Sequence, residues 1–590
     1  LGISKSISKR KKESALIMRK QTKLVAVLST AALLAIGASM TSFAATGWAE
    51  EDGTWVYYNR DGERATDQWK KSGNNWYWLD TNGEMAIDQL IEDGDNYYYV
   101  DINGVMAANQ WVAIDNEDAG QDDEPDHYWY YFQANGKALK NGDNDKVALK
   151  TVNGKKYAFD DEGKMLWGWV NADSAEHIDN TDGDAFKEGD YYFGSADDGA
   201  MTVGWLQMDI TYEEATSDYE IAPVFNDDED QTRWFYFKSN GKMIKADNGE
   251  RTKDKTINGK KYAFDEYGAM VAEWSLDEGD EKIASKSEER AKASVDVATT
   301  SEAWNGAGNY AKYTQAWRYF NSVEDGSRVS KGWFKVVAAE MLNKDKYDDD
   351  EDAWYYADGS GKLYAGEFKT IKGKKYAFRN DGRMLSGLKF IKEGTDDFAG
   401  VVADDDDNHS FDNEDDFLAQ ASTYFEGEGY KCYYFGGGED GAMRTGKTSL
   451  TFDGENTNFY FEKSGGKKGA GVTGEKDNKL YQSGMLLKAD SDDKYTVVDK
   501  ETHIKDDGTK YETYTKLDDA KAFMDSVKDN GGKVNDELAG KEGSTKVTVG
   551  SNTTKKAEDL AEAYSVDLKD VKNHEYILVN TSGKVIDNKG

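Results

Sequence analysis

The sequence contains a single cysteine, Cys432, among 590 residues, so no internal disulfide framework can hold the chain together. Basic residues are also scarce relative to acidic ones: 74 lysines and arginines accompany 112 aspartates and glutamates and leave a formal net charge of −38. Binding to nucleic acid requires a basic surface that releases counterions from phosphates, so this composition argues against nucleic acid as a partner. It also argues against docking on an anionic membrane, whereas an acidic surface keeps an extended protein soluble and attracts cations.

The usual motifs of catalysis are also lacking. The five histidines are scattered along the chain, and no His-Glu-x-x-His stretch occurs. With 112 acidic residues, two carboxylates can meet by chance, so spacing identifies no glycosidase pair. The acidic stretch from Asp404 to Asp416 has His409 where a calcium loop needs glycine, so we expect a solvated loop there. We therefore predict no catalytic residue, no metal site, no nucleotide-binding loop and no cofactor.

The sequence has one hydrophobic span, residues 24–36. Basic residues at 19–23 precede it and small residues follow it as far as Ala45, which is the pattern of a secretory signal peptide over residues 18–45. The span is too short to cross a membrane comfortably. We expect residues 1–17 to be a non-native upstream extension, and the mature protein to be exported and then released or held non-covalently, without contact with the membrane.

What the chain does have is a short aromatic phrase that returns at a fixed period. Gly62, Gly83 and Gly104 lie 21 residues apart, and each stands seven residues after the start of a run of four mostly aromatic residues. A fixed period of this size is the signature of a repeat array, so we expect repeated binding rather than catalysis at one site. The first three runs are Trp55-Val56-Tyr57-Tyr58, Trp76-Tyr77-Trp78-Leu79 and Tyr97-Tyr98-Tyr99-Val100.

Each unit also carries turn residues, often Asp-x-Asn-Gly, and this combination is typical of a β-hairpin. A hairpin is marginal alone, but stacked hairpins bury a continuous core. Alternation along a strand places positions one and three of the aromatic run on one face and positions two and four on the other. Positions two and four are almost always large and apolar, so we predict that they form the core. Positions one and three are Trp and Tyr in some runs but Lys156 and Ala158 in another. We therefore predict that this second face is optional for folding and supplies the ligand contacts.

Beyond residue 126 the hairpins follow a second order. A Trp-containing hairpin is followed by a Gly-Lys-Lys-Tyr-Ala-Phe hairpin and then by a third type with a longer turn, and the triplet restarts near Trp129, Trp234 and Trp354. The acidic segments between hairpins are expected to be solvated loops, and residues 275–303 a longer polar insertion that is partly helical. The acidic segments are residues 115–126, 227–230 and 404–407.

The predicted fold class is all-β: a solenoid of tandem β-hairpin repeats of about 20 residues with acidic loop insertions, and a small α+β or partly disordered segment near the C-terminus. Tandem hairpins are predicted over residues 46–114, triplets over 127–489 and a terminal repeat-like piece over 574–590. Residues 490–573 are a polar α+β segment to which we assign no function, with short helices expected at 517–527 and 556–571.

The phrase Trp-Tyr-Tyr-Phe, then Asn-Gly-Lys, then a Met/Leu strand ending in Gly-Trp resembles the cell-wall-binding repeats of Gram-positive surface proteins, which are choline-binding and glucan-binding modules. Residues 151–159 and 256–264 also resemble the carbohydrate-binding tails of clostridial toxins. The resemblance covers most of residues 47–489. It implies a superhelix of stacked hairpins with sites between repeats, each built from a hairpin Trp, the Trp of the Gly-Trp step and a Tyr of the next hairpin. Such a cage binds quaternary ammonium through cation–π attraction, and a flat aromatic platform can stack on a sugar.

Departures from the family pattern limit what is carried over. Gln68 and Gln110 replace the glycine of the Gly-Trp step and Leu90 replaces its Trp, so we do not expect a full ladder of choline cages. Each Trp is also a candidate packing residue whose indole edge reaches the surface. By position, the ligand-binding residues that the resemblance implies are Trp48, Trp55, Tyr57, Trp69, Trp76, Trp78, Tyr97, Tyr99, Trp111, Trp129 and Tyr131, followed by Trp169, Trp205, Trp234, Tyr236, Trp333, Trp354 and Tyr356.

The sequence leads to one main functional hypothesis and two alternatives. The first is a secreted, non-enzymatic surface protein that binds a Gram-positive cell-wall polymer, either the choline of teichoic acid or a glycan, through many weak sites in series. The second is an adhesin or lectin of the toxin-tail type that binds host glycans. The third is a wall-active enzyme whose catalytic module is residues 490–573.

Overall fold

The computed structural model describes residues 46–142, 145–210, 223–225, 230–247, 251–276, 307–393, 398–402, 411, 413–424, 427, 429–452, 454–534 and 568–586. The predicted upstream extension and signal peptide, most of the expected insertion at 275–303, the acidic segment at 404–407 and most of the expected helix at 556–571 lie outside these residues. The chain forms two compact units, the first running to Glu273 and including Phe320–Ser327, the second comprising Trp274–Tyr319 and the chain from Arg328 onward.

The first unit is a succession of two-stranded antiparallel hairpins. The tandem hairpins pair β1 (Gly47–Glu51) with β2 (Thr54–Tyr58), β3 (Gln68–Ser72) with β4 (Asn75–Leu79), β5 (Gln89–Asp93) with β6 (Asn96–Val100) and β7 (Gln110–Asp115) with β8 (His127–Phe132). The triplets continue with β9 (Lys150–Val152) and β10 (Lys155–Tyr157), β11 (Trp169–Val170) and β12 (Tyr191–Tyr192), β13 (Gly204–Ile210) and β14 (Gln231–Phe237), and β15 (Lys255–Ile257) and β16 (Lys260–Tyr262). Short 3-10 turns occur at Ala185–Lys187 and Pro223–Phe225.

Hairpins continue along the chain and then give way to wider sheets. The next pairs are β17 (Glu273–Leu276) with β18 (Trp317–Phe320), β19 (Gly332–Val336) with β20 (Ala353–Ala357), and β21 (Glu367–Ile371) with β22 (Lys374–Phe378); α1 (Ala307–Ala316) precedes β18 and α2 (Lys344–Asp348) precedes β20. A three-stranded sheet follows in the order β24 (Phe398–Val402), β23 (Leu388–Glu393), β25 (Tyr430–Tyr434), with α3 (Glu414–Thr423) before β25. A five-stranded sheet has the order β26 (Gly446–Phe452), β27 (Glu455–Phe461), β30 (Met485–Leu486), β29 (Lys479–Gln482), β28 (Gly474–Lys476).

The prediction of antiparallel hairpins is confirmed, but their tight turns are not where the sequence placed them. β3 and β4 are joined by a two-residue turn at Gly73, whose φ is +60°, before the aromatic run. The Asp-x-Asn-Gly segment instead follows the second strand. There the Asp80 carboxylate accepts N–H bonds of 2.8 Å from Asn82 and Glu84, and the turn returns Met85 to Leu79 as an isolated bridge. An aspartate favours this turn because its side chain supplies the acceptor that the turning backbone needs.

The glycine of this turn lies directly on a methionine of the preceding repeat. Gly104 and Gly136 have φ angles of +74° and +79°, which a residue with a side chain rarely adopts. A Cβ at Gly104 would also collide with Met85, and one at Gly136 with Met106. The close approach of backbone to methionine therefore requires glycine, and it interlocks successive repeats.

Position three of the aromatic run is buried in some hairpins, which corrects the predicted division of roles. Positions two and four do form the core, as expected, and Leu79, Phe132 and Phe264 are 0% exposed. The prediction that the face of positions one and three is optional for folding is wrong for position three. Ala158 is 1% exposed and packs against Tyr191 of the following hairpin, because an inner repeat has a neighbour on each side and a small residue leaves room for that neighbour's ring.

Residues 495–534 and 568–586 form a small α+β region. β31 (Tyr495–Ile504) is the central strand between β32 (Lys510–Leu517) and β33 (His574–Asn580), and α4 (Ala520–Asp529) packs on the sheet through Phe523, Met524 and Val527. The helix expected at 517–527 is present, but it begins later because Leu517 ends β32. β33, at the start of the predicted repeat-like piece 574–590, belongs to the same sheet as β31.

A half-buried turn carboxylate makes the stability of the first unit depend on pH. Asp160 accepts a 2.7 Å bond from the backbone N–H of Lys164, and burial raises its pKa to about 6. Because the pKa is higher in the folded than in the unfolded chain, the folded state binds more protons at pH values between the two pKa values, and the contribution of this group to stability increases as pH falls from 7 towards 5. We expect Asp160→Asn, which keeps the acceptor oxygen, to lose this increase. Denaturant unfolding at the two pH values would measure it, with Asp80→Asn, which has the same place in an earlier turn, as the control. Identical pH dependence in wild type and D160N would contradict the prediction.

Candidate aromatic binding sites

The recurring unit of the candidate sites is a set of three aromatic rings from two consecutive hairpins. In the hairpin β13–β14, Trp205 of the Gly-Trp step lies directly opposite Tyr236. Their ring centroids are 5.0 Å apart, and the same Trp meets Tyr262 of the next hairpin at 4.9 Å. We call Trp205, and the Trp at the same place in each other hairpin, the step Trp. Such edge-to-face pairs add about 0.5–1.5 kcal/mol beyond the area that they bury, so they hold neighbouring hairpins together.

The same three-ring arrangement recurs along both units with nearly constant spacing. The centroid distances from the step Trp to its two partners lie between 4.9 and 5.4 Å in every case. The other members are Trp48 with Tyr57 and Tyr77, Trp69 with Trp78 and Tyr98, Trp111 with Tyr131 and Tyr157, Trp169 with Tyr192 and Phe235, Trp274 with Tyr319 and Tyr355, and Trp333 with Tyr356 and Tyr376.

Two of these arrangements gain an open corner from the Trp at position one of the aromatic run. Trp205 and Trp234 are perpendicular, at 88° and 6.2 Å, and Trp333 and Trp354 are perpendicular at 88° and 6.3 Å. All four indoles are only partly buried. With the Tyr of the next hairpin, which is 8% or 9% exposed, each corner is bordered by three aromatic rings. We call these the Trp205 site and the Trp333 site.

In both sites the backbone of a methionine is hydrogen-bonded to the backbone of the position-one Trp. The backbone N–H of Met270 donates to the carbonyl of Trp234 over 2.7 Å, and that of Met384 donates to the carbonyl of Trp354 over 2.8 Å. Burial raises the pKa of Tyr262 in the Trp205 site, so its phenol is neutral at physiological pH. The walls are thus uncharged π surfaces and a polarisable thioether, which suit either an organic cation or the apolar face of a sugar.

A third set of equivalent residues is more closed. Trp111, Trp129, Tyr157 and Met165 pack in one cluster, which we call the Trp111 site. Trp129 is only 6% exposed, and the ring of His127 lies edge to face against it at 5.4 Å. Trp169 and Trp48 are 2% and 8% exposed and pack within hydrophobic clusters.

The tandem hairpins place their candidate rings nearer to solvent and to lysines of the chain itself. Trp76 is 40% exposed with the ammonium of Lys71 5.8 Å from its ring, and Lys70 lies 4.8 Å from the ring of Tyr57. Trp69 donates its indole N–H to Asp93 over 3.2 Å. The remaining candidates of this region include Trp55, Trp78, Tyr97 and Tyr99; Trp78 is buried, the other three are partly buried, and Tyr99 donates its hydroxyl to Asp88.

Sequence reasoning missed one complete member of the series. Trp274, opposite the run Trp317–Phe320, contacts Tyr319 and Tyr355, but Trp274 and Trp317 are 6% and 0% exposed, so their corner is closed. The signal was present in Trp-Arg-Tyr-Phe, but a glutamate precedes Trp274 and the long insertion separates the two strands. The tyrosines of the following hairpins, such as Tyr262 and Tyr376, are core residues as predicted and also contact the step Trp.

Residues 441–448 match the Gly-x4-Gly-Lys-Thr spacing of a phosphate-binding loop. Such a loop binds phosphate where its last residues open a helix. Here Gly446, Lys447 and Thr448 begin β26, which pairs with β27. The match therefore does not form a phosphate-binding loop.

Among the described residues, no helix is long and apolar enough to cross a membrane, and no group of three or more His, Cys, Asp or Glu residues is arranged to hold a metal ion.

Comparison with known families gives matches to repeat modules. A family described as a choline-binding repeat matches residues 45–89 and 65–111, and one described as a putative cell wall binding repeat matches residues 230–243. Glucosyltransferase-S of Streptococcus mutans is 22% identical over 295 residues, which is 44% of this chain but only 16% of that enzyme.

Solved structures of Streptococcus pneumoniae proteins are also similar. They include the choline-binding domain of CbpL (21% identity, 39% of this chain and 88% of that one, TM-score 0.23) and choline-binding protein F (16% identity, 76% and 100%, TM-score 0.20). The modular autolysin LytC in complex with a synthetic peptidoglycan ligand is 17% identical, with 59% of this chain and 56% of that one covered and a TM-score of 0.28.

Proposed function

Because the chain belongs to the family of proteins with choline-binding, or cell-wall-binding, repeats, we propose that it is a secreted surface protein that attaches non-covalently to the wall of a Gram-positive bacterium. The observation that supports this most directly is the pair of open aromatic corners at the Trp205 and Trp333 sites. Each offers two perpendicular indoles and a neutral tyrosine to a ligand carried by the wall polymer.

The strength of attachment through such sites depends on how many of them bind at once. A cation over an exposed aromatic ring gains about 0.5–1 kcal/mol per ring, so one corner of three rings binds weakly. Several sites on one chain facing many ligands on one polymer convert weak binding into firm retention, because the second contact is intramolecular. The tandem hairpins with Trp55, Trp69 and Trp76 would add further contacts, and stacking of the hairpins as a solenoid within each unit would repeat such sites along that unit.

We propose further that the protein has no catalytic role of its own. The matched segment covers only 16% of the glucosyltransferase, so the activity in that name is not carried over to this chain. In the α+β region the helix packs on its own sheet through Phe523, Met524 and Val527, and we propose a structural role for this region.

The proposal is tested by sedimenting the purified chain from residue 46 onward with isolated Gram-positive cell walls and then adding choline or neutral glucan oligosaccharides. We expect the wild type to sediment and choline to release it. The double variant Trp234→Ala with Trp354→Ala should sediment at least several-fold less, since it removes one wall of each open corner. Tyr347→Ala removes a ring that is 46% exposed outside the sites and serves as the control.

The other outcomes distinguish the alternatives. Release by sugar alone would make the protein a glycan-binding lectin and favour the host-adhesin hypothesis. Sedimentation that is absent in the wild type, or unchanged in the double variant, would rule out wall attachment through these corners.

A further inference from the structure

Three turns that are distant in sequence from the aromatic sites contact those sites in the same way. Each is the longer turn of the third hairpin in a triplet, and each presents two acidic residues before a glycine: Asp197 and Asp198, Glu324 and Asp325, Glu439 and Asp440. The glycines have φ angles of +56°, +57° and +60°, and the second acid of each turn donates its N–H to the carbonyl three residues before it over 2.8–2.9 Å. The three turns therefore share one conformation. We call them the acidic turns.

The glycine of each acidic turn is seated on the methionine of a site. A Cβ at Gly199, Gly326 or Gly441 would collide with Met165, Met270 or Met384, which are the methionines that follow Trp129, Trp234 and Trp354. Each acidic turn is thus fixed against the Trp111, Trp205 or Trp333 site.

The second acid of each turn forms an ion pair with the intervening hairpin. Asp198 lies 3.4 Å from Lys155, Asp325 lies 3.0 Å from Lys260, and Asp440 lies 3.8 Å from Lys374. These lysines have the same place in the three Gly-Lys-Lys-Tyr hairpins. The ion pair with the acidic turn therefore accounts for the lysine at that position, and this ion pair does not involve the indoles.

The first acid of each turn meets the position-one Trp or its strand partner. Trp129 donates its indole N–H to Asp197 over 3.4 Å, and Trp354 donates its indole N–H to Glu439. In the Trp205 site, Glu324 accepts from Gln207, the residue directly opposite Trp234, over 3.4 Å. The contacts span 68 residues in the first site and 85 in the third, so loops of different length bring the carboxylate back to the same place.

We propose that Glu324 and Glu439 determine the selectivity of the two open sites for a positively charged ligand over a neutral one of the same shape, and Asp197 has the equivalent place beside the more closed Trp111 site. This rests on the proposed function. Asp197 and Glu439 accept an indole N–H and so raise the electron density of the ring that a cation contacts. Glu324 accepts from Gln207 instead, so only its charge can attract the cation. Each site is then a composite of three hairpins: step Trp and position-one Trp from the first, tyrosine and lysine from the second, carboxylate from the third.

The lysine beside the third carboxylate gives a second, opposite expectation. Lys335 lies opposite Trp354 in the hairpin, and its ammonium is 2.9 Å from Glu439, so it competes with a cationic ligand for the same charge. Removing Lys335 should therefore strengthen cation binding at the Trp333 site.

The test compares choline with 3,3-dimethylbutan-1-ol, which has the same shape without the charge, by calorimetric titration of the full chain at low and high salt. The triple variant Asp197→Asn, Glu324→Gln, Glu439→Gln should lose about two- to fivefold in choline affinity at low salt, since exposed charges act weakly, and less at high salt. Its affinity for the neutral alcohol should not change. Asp198→Asn, Asp325→Asn, Asp440→Asn is the matched control in the same turns and should keep the wild-type ratio of the two affinities. Lys335→Met should raise choline affinity.

Each other result has a defined meaning. If both ligands lose affinity equally in the triple variant, the carboxylates only hold the fold and the proposal is wrong. No change in either affinity would also overturn it. A wild type that sediments with cell walls but binds neither small molecule would overturn this inference and leave the proposed function standing, whereas a wild type that does not sediment would remove the function itself.

Discussion

Replacing Trp333 by alanine is expected to destabilise the second unit by about 3–5 kcal/mol, the range for deleting a large packed ring. The indole of Trp333 contacts Tyr356, Tyr376 and Phe378 at centroid distances of 5.1, 4.9 and 5.8 Å, so the substitution removes the ring on which two hairpins meet. Calorimetric unfolding of the full chain would measure the effect as a lowered transition of that unit.

The matched variant is Trp354→Ala, one strand away. Trp354 forms the other wall of the corner and donates to Glu439, but it is not the ring between the two hairpins. We expect it to cost less than about 2 kcal/mol of stability while reducing cell-wall binding. If Trp354→Ala destabilised the unit as much as Trp333→Ala, the position-one Trp would be a core residue and the corner would lose its standing as a site.

The second large effect concerns a buried ion pair beneath the Trp205 site. Arg233 and Asp265 are 1% and 0% exposed, and their side chains meet at 3.1 Å. Arg233 also lies over the ring of Phe225 at 3.7 Å. Arg233→Met is expected to destabilise the first unit by about 3–5 kcal/mol, because it leaves the charge of Asp265 buried without its counter-ion.

The double variant Arg233→Met with Asp265→Asn tests that reason. The introduced amide would keep the acceptor oxygen that binds the N–H groups of Tyr267 and Ala269, but it would carry no charge. Most of the lost stability should therefore return. A double variant as unstable as Arg233→Met would show that the packing of the arginine, rather than its charge, matters.

Much of the local structure was readable from the sequence, because period and alternation are local properties. The 21-residue spacing predicted the hairpins, and the apolar positions two and four predicted a core that contains Leu79 and Phe132. The prediction was wrong for the position of the tight turn within each repeat and for the role of position three. Both depend on the neighbouring repeat: Met85 has to return to Leu79, and Ala158 has to accept the ring of Tyr191.

The sequence identified the tryptophans of the candidate sites, but it did not indicate which of them form open corners. Trp169 and Trp205 both follow glycine in the sequence, yet one is 2% exposed in a closed cluster and the other borders an open corner. The difference comes from the partner hairpin, not from the Trp itself. The acidic turns were outside the reach of local patterns, since Glu439 meets Trp354 across 85 residues of intervening sequence.

The way β33 completes the sheet of β31 has a consequence for the order in which the chain acquires structure. A hairpin such as β3–β4 needs only neighbouring residues, so it can form as soon as its second strand has been made. β31 must instead wait for a strand whose contacts, such as Lys500 with Glu575, join residues 75 positions apart. Structure would then be gained progressively through the repeats and cooperatively at the end, and the edge of β31 that β33 covers would stay unpaired in the interval, open to mispairing with another chain.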